Sequence, residues 1–380
     1  MTFSTAELTR YARHFVLPDF GMEGQQRLKN GSVLVVGAGG LGSPVLLYLA
    51  AAGVGRIGII DADKVDDSNL QRQVLYTTKD IGIFKVKAAK KRLLALNPHI
   101  QIETYPFALT SANALKIIAL YDVVADGTDN FATRYLVNDA CVLCEKPNVY
   151  ASIFRFEGQV SVFNFTQNDG TRGVNYRDLF PAPPPPNLVP NCAEGGVLGV
   201  LPGIIGSMQA NEVLKIVSSV GEPLAGRLFV FDAASFTTKV LKVFKNPNYK
   251  PITSLINYDV FCGLNPQTLK AERKEDLESL SVQELYKWQT QNVDFQLIDV
   301  RESYEYEVGN LGGILTPLSI LSEKVHLIEK NKPVVVHCKS GARSAKAIAE
   351  LKLLGFKNLL NLQGGILAYA HEIDKTLIII

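Results

Sequence analysis

Two periods of apolar residues alternate along the first part of the chain. Short runs rich in β-branched residues, SVLVV, IGIID, QIETY, DVVAD and NVYAS, read as strands. Between them lie stretches of helical spacing: one from about Gly40, one in KVKAAKKRLLAL and one after DGTDN. Strand, helix, strand repeated in this way predicts a parallel, doubly wound sheet of Rossmann-like form. FRFEGQVSVFNF, RLFVFDA and TTKVLKVF alternate instead as antiparallel strands, an extension of that sheet. The proline-rich stretch PAPPPPNLVPNC, residues 181–192, can be neither helix nor central strand. From about Asn246 the pattern weakens, and a second, smaller α/β unit follows: the helix SVQELYKWQ, the strands FQLIDVR and PVVVHC, the helix ARSAKAIAELKLLG and the run NLLNL. The chain is therefore divided into residues 1–250, a linker over 251–278 and a second domain over 279–380, without internal repeats.

Composition narrows the partners. With 380 residues and 47% hydrophobic content the chain can bury substantial cores, and its net charge of +2 is spread without long runs of one sign. That balance gives no footprint for nucleic acid or a membrane surface. No apolar run reaches the roughly 18 residues of a membrane span, and MTFSTAELTRYARHF lacks a signal-peptide core, so a cytoplasmic protein is expected. Five scattered cysteines, an odd number, argue for free thiols.

Candidate chemistry begins at Gly37-Ala38-Gly39-Gly40-Leu41-Gly42, a glycine turn between a strand and a helix. Such a turn brings backbone N–H groups to a phosphate at a helix N-terminus, and Asp61, closing the next strand, stands where a ribose hydroxyl would be held. Taken alone this fits a nicotinamide-dependent oxidoreductase. Asp63, Ser68, Asn69, Leu70, Gln71, Arg72 and Lys85 downstream change the balance. If a carboxylate is to attack an α-phosphate, both reactants are anions and cations must neutralise the charge, a requirement that Arg72 and Lys85 meet and hydride transfer does not share. Asp129, in DGTDN at the carboxyl edge of the sheet, could hold Mg²⁺ against phosphates, while one residue of TDN caps the following helix.

GAGGLG, IDADKVDDSNLQRQ, GIFKVKAA, DGTDN and NCAEGGVLGVLPGIIGSMQANEVLK together resemble the MoeB/ThiF/HesA adenylyltransferases, relatives of ubiquitin-activating enzymes, over roughly residues 5–245. The resemblance implies a homodimer that uses ATP and Mg²⁺ to adenylylate the C-terminal glycine of a small ubiquitin-like sulfur-carrier protein. By position Gly40, Asp61, Ser68 to Arg72, Lys85, Asp129 and Asn130 would contact ATP and its metal. Arg13 resembles the arginine that relatives insert into the partner subunit's site. Many relatives carry two C-x-x-C pairs for structural zinc. Here Val174–Phe180 holds no cysteine and Asp259–Gly263 keeps only Cys262, so zinc is expected to be absent. Cys141 and Cys144 share an apolar helical face and lack a second pair. Cys192 occupies a position that in relatives lies on a mobile loop, where a thiol can resolve a sulfur intermediate.

Near the end, VVHCKSGARS puts Cys338 between a buried strand and a helix, where amides of 339–344, the helix N-terminus and Arg343 would favour an anion on sulfur. A phosphatase loop places five residues between cysteine and arginine; four stand here, which suits a sulfane sulfur. With LIDVRESYEYEVGNLGG upstream and NLLNLQGGILAY downstream, residues 279–375 resemble a single-domain rhodanese. Asp299 and Arg301 would brace the loop. The two resemblances together imply an ATP-dependent adenylyltransferase with its own sulfurtransferase. Its sulfur would come from a cysteine desulfurase or thiosulfate, and its pathway would be molybdenum-cofactor, thiamine or another thiocarboxylate-dependent synthesis.

Overall fold

The computed structural model describes residues 3–167, 169–184, 196–248, 250–263 and 278–379. By internal contacts the chain forms two compact units, residues 1–265 and 266–380. The first is built on strands β1 (Ser32–Val36), β2 (Arg56–Ile60), β3 (Gln101–Tyr105), β4 (Val123–Asp126), β5 (Asn148–Phe154), β6 (Glu157–Phe163), β7 (Arg227–Asp232) and β8 (Thr237–Lys242). They make one sheet in the order β3-β2-β1-β4-β5-β6-β7-β8, parallel through β5 and antiparallel from β6 onward.

The apolar runs explain that order. Every residue of β1 and β4 is buried, as central parallel strands covered on both faces must be. All six residues of β8 are exposed, and its lysines Lys239 and Lys242 blunt the open edge. One helix, Leu201–Ser218, covers the middle of the sheet. Its buried Gln209 donates from Nε2 to the carbonyls of Asp126 and Val149, each at 2.8 Å, tying β4 to β5. In register Val36 lies beside both Ile60 and Asp126, so the carboxyl ends of β1, β2 and β4 meet. There the chain runs outward in both directions, the switch point at which open α/β sheets bind ligands. Residues 255–262, inside the stretch read as linker, pack on this unit through the helix Tyr258–Phe261, and the Ser111 hydroxyl donates to the Ile256 carbonyl at 2.9 Å.

The second unit holds strands β9 (Ser279–Leu280), β10 (Gln296–Asp299), β11 (Ile314–Leu315), β12 (Val334–His337) and β13 (Leu359–Leu362), all parallel, in the order β11-β10-β12-β13-β9. β12 is central and wholly buried, so the residue after it, Cys338, is delivered to the carboxyl edge of the sheet.

His337 closes β12 without exposure, neither ring nitrogen has a hydrogen-bond partner, and Asp299 lies 3.6 Å from Nε2. Burial lowers its pKa to about 4 against the opposing pull of Asp299. The native unit refuses a proton that the unfolded chain accepts near pH 6.5. Stability is therefore complete above that pH and falls by about 3 kcal/mol as pH drops towards 4. The single tryptophan, Trp288, belongs to this unit and reports it selectively. Denaturant titrations followed by its fluorescence should show that slope, and His337→Gln should remove it. Glu305, held below the usual carboxylate range, adds its own loss only at lower pH.

Candidate functional sites

The switch point opens into a cleft lined by Gly37, Gly39, Gly40, Asp61, Asp63, Arg72, Lys85, Asp129 and Asn130, all singled out in the sequence. Sterics hold the turn in shape. The helix Gly42–Ala52 starts so close under it that a Cβ on Gly42 would come within 2.0 Å of the Gly37 carbonyl oxygen. Gly42 thus serves packing and does not line the cleft. The buried Tyr76, which the sequence reading passed over, donates its hydroxyl to the Ala38 carbonyl at 2.7 Å and props the turn from beneath.

Asp61 accepts from the Ala38 N–H on one oxygen and the Asp63 N–H on the other, each at 2.8 Å. Burial raises its pKa against the opposing effect of Lys85 and those amides. Lys85, at the first position of its helix and almost fully buried, pairs with exposed Asp63 at 2.9 Å. This cation is held at the cleft by a partner that is itself exposed. Arg72 reaches back to the Ser68 carbonyl at 3.1 Å, and the Ser68 hydroxyl donates to Asp66 at 2.6 Å. Ser68 and Asn69 form a short 3₁₀ turn, and Gln71 lies against Gly199. Ser68, Asn69, Leu70 and Gln71 therefore carry Arg72 into place while standing outside the cleft lining. Arg13 is exposed in the helix Ala12–Phe15 and is not part of that lining either.

At the opposite wall, Asn130 caps the helix Phe131–Leu143 by accepting from the Thr133 N–H at 2.9 Å. That leaves the neighbouring Asp129 exposed on the cleft. Mg²⁺ on nucleotide phosphates needs only one or two protein carboxylates, and Asp129 fits such a place. Gln73, Thr128 and Thr133 also line the cleft and were not read from the sequence, although Gln73 sits beside Arg72 in NLQRQ.

The corner around Cys262 is closed by a buried ion pair. Arg177 donates to both oxygens of Asp139 at 2.7 and 2.6 Å, and the Tyr258 hydroxyl donates to the same carboxylate at 2.8 Å. The guanidinium lies over the rings of Tyr135 and Phe261, 4.9 and 4.6 Å from their centroids. Cys262 is buried beside them, its thiol pushed up to about 11 by burial, and no group of three or more metal-ligating residues occurs among the described residues. These groups do not fit a tetrahedral zinc site. Breaking the buried pair with Asp139→Asn should cost about 3–5 kcal/mol, because the guanidinium loses the buried carboxylate that accepts two of its hydrogen bonds. Calorimetric unfolding checks the loss, and a chelator should leave the wild-type transition where it was. Cys141 is fully buried and Cys144 caps the end of its helix, a structural placement for both. Cys192 lies outside the described residues.

In the second unit Cys338 is 1% exposed. Of the six amides expected around its sulfur, that of Gly341 donates to Sγ, at 3.1 Å, and the Ser344 hydroxyl stands 3.5 Å away. Gly341 has φ +95°, a conformation that L-residues rarely adopt. Arg343 does not turn its charge to the sulfur alone. Both its terminal nitrogens bind Glu305, at 2.6 and 2.7 Å. Burial of Glu305 opposes its charge, but the bonds from Arg343 and the Glu302 N–H prevail and hold its carboxyl below the usual range. Arg301 and Asp299 pair without any exposure, and Arg301 also donates to the Gly309 carbonyl at 2.8 Å, bracing the strand end beside the loop. The carbonyls of Cys338 and Lys339 are taken up by the helix Gly365–Glu372, accepting from the Ile366 N–H at 2.9 Å and the Leu367 N–H at 3.0 Å.

Comparison with known proteins follows the same division. Residues 11–251 match the ThiF family and residues 281–372 the Rhodanese-like domain. A probable adenylyltransferase/sulfurtransferase MoeZ of Mycobacterium tuberculosis is 45% identical over 99% of this chain and 96% of its own length. A sulfur carrier protein adenylyltransferase of Thermus thermophilus is 53% identical over 70% of this chain and all of its own. An adenylyltransferase and sulfurtransferase MOCS3 of Drosophila virilis is 39% identical, covering 99% and 86%. Among solved structures, Escherichia coli MccB bound to a MccA variant superposes with a TM-score of 0.56 at 22% identity, over 66% of this chain and 75% of that one, a likeness of fold.

Proposed function

The chain belongs to the ThiF family and ends in a rhodanese-like domain, and from that membership we propose that it adenylylates the C-terminal glycine of a ubiquitin-like sulfur-carrier protein and then supplies the sulfur. The observation that carries this reading is the cleft itself. One glycine turn, two cations and an exposed carboxylate surround a space at the switch point, in a chain that also holds a cradled cysteine.

In the first step a carboxylate oxygen of the carrier attacks the α-phosphorus of ATP, and the bond to pyrophosphate breaks. Gly39 and Gly40 would leave room for phosphate, Asp61 would take the ribose, and Lys85 would exchange Asp63 for the departing pyrophosphate while Arg72 shares the charge. Asp129 would hold Mg²⁺, which supplies further neutralisation. In the second step the terminal sulfur of a Cys338 persulfide attacks the acyl carbon and AMP leaves. Cys192 would then attack the Cys338 sulfur, releasing the thiocarboxylate and leaving a Cys192–Cys338 disulfide for an external thiol to reduce. The sulfur donor would be a desulfurase persulfide or thiosulfate. The unit works as a homodimer, with Arg13 reaching the partner's cleft, in the cytoplasm and without zinc. No helix among the described residues is long and apolar enough to cross a membrane.

The relatives' names speak for nucleotidyl and sulfur transfer rather than for hydride transfer. ATP–pyrophosphate exchange that depends on the carrier tests the first step, and exchange equally fast without carrier would overturn it.

A further inference from the structure

Ser344 has one hydroxyl proton and two neighbours placed to take it. Its Oγ lies 2.6 Å from Oδ1 of Asn361 and 3.5 Å from Sγ of Cys338, and Ser344 itself has no exposure. Asn361 comes from β13, the strand beside β12, and is 8% exposed. Its amide nitrogen is engaged as well, donating to the Gly341 carbonyl at 3.2 Å, which fixes the amide's orientation. Oδ1 therefore faces Ser344 as an acceptor, and the shorter of the two contacts takes the proton. The Ser344 lone pairs are then left towards the sulfur. A thiol tolerates that arrangement because its own S–H can turn to Ser344. A thiolate or persulfide anion cannot, since it needs donors.

We infer that Asn361 is a positioning residue for the sulfur at Cys338, competing with that sulfur for the hydroxyl proton of Ser344. With Cys338 protonated, the proton of Ser344 lies on Asn361. Once the sulfur is an anion the hydroxyl rotates, donates to it and leaves Oδ1 of Asn361 unpaired, a buried acceptor whose loss opposes the change. Asn361 thereby biases the unloaded site towards the thiol, while the Gly341 N–H serves both states. The inference rests on the reading of Cys338 as the sulfur carrier, but its test uses no carrier protein, ATP or sulfur donor, so the two can fail separately.

The test is alkylation of Cys338 by iodoacetamide in the full chain, followed by mass spectrometry of its peptide at pH 7 and at pH 10. The ratio of the two rates separates ionisation from access. Ser344→Ala should lower the ratio about threefold to tenfold, since the anion loses a donor, and Ser344→Thr should keep it. Asn361→Leu should raise it by about twofold to fivefold, but only while Ser344 is present. In the Ser344→Ala background the same substitution should do nothing. Equal effects of Asn361→Leu in both backgrounds would show a loop merely loosened at Gly341, and an unchanged ratio in Ser344→Ala would remove the competition altogether. Either result overturns the inference. Asn361→Ala takes the same place in the cycle if the leucine variant does not fold, and the Ser344 pair stands without it.

Discussion

In Asp129→Ala, carrier-dependent ATP–pyrophosphate exchange falls by at least about a hundredfold, while the reaction of Cys338 with a sulfur donor proceeds at the wild-type rate. The size follows from what the side chain does in the cleft. The other carboxylates there are committed, Asp61 to two amides and Asp63 to Lys85, and the Asn130 side chain caps its helix. Asp129 is exposed and faces the space that phosphates would fill. Removing it takes away the carboxylate proposed to hold Mg²⁺, and the charge that accumulates as pyrophosphate departs loses a major part of its neutralisation. Removing one preorganised charge partner of this kind costs about 10²–10³ in rate. Asp129→Asn separates charge from shape, because the amide keeps the volume and cannot replace the carboxylate on a hard cation. Exchange that survives Asp129→Ala would place the metal elsewhere, with Asp63 the next candidate.

The folding of this chain shows which parts of such a site are legible beforehand. The parallel half of the sheet was readable because β1 and β4 are central and their residues had to be apolar on both faces. Gly37, Asp61, Lys85 and Asp129 fall at or just beyond strand ends and at helix starts, and once the strand order is known they must meet; Arg72 joins them from the turn after the short 3₁₀ segment Asp67–Asn69. What could not be read was how these groups are shared. Lys85 spends its charge on Asp63, and Arg343 spends most of its own on Glu305, thirty-eight residues upstream. A spacing rule sees a cation near a cysteine; only packing shows that the cation is already paired. Tyr76, Glu305 and Asn361 escaped notice for a related reason. Each acts on a neighbour that is remote in sequence, through a hydrogen bond that no local periodicity encodes. Short strands such as β9 and β11, two residues each, give the alternation too little length to register.

Cys338→Ser should leave exchange at the wild-type level and abolish thiocarboxylate formation, so that the carrier stops at the acyl-adenylate and its hydrolysis product. Both halves of that outcome are needed. The substitution keeps the volume of the side chain, and hydroxyl oxygen can still accept from the Gly341 N–H, so the cradle keeps its form. Oxygen cannot carry a sulfane sulfur, which requires an S–S bond, and a serine hydroxyl near neutrality lacks the anionic character of a persulfide. The loss is therefore one of chemistry and not of folding, and unchanged Trp288 fluorescence would document that the second unit is intact. Mass spectrometry of a carrier incubated with ATP, sulfur source and each variant distinguishes the species directly. If Cys338→Ser still yields thiocarboxylate, the donor's own persulfide attacks the adenylate and the rhodanese-like unit serves another purpose, such as docking the donor. If instead adenylate accumulates, the sequence of events is fixed: activation in the first unit precedes and does not require sulfur in the second. Asp129→Ala and Cys338→Ser then divide one reaction at the acyl-adenylate, each blocking the half that its own unit performs.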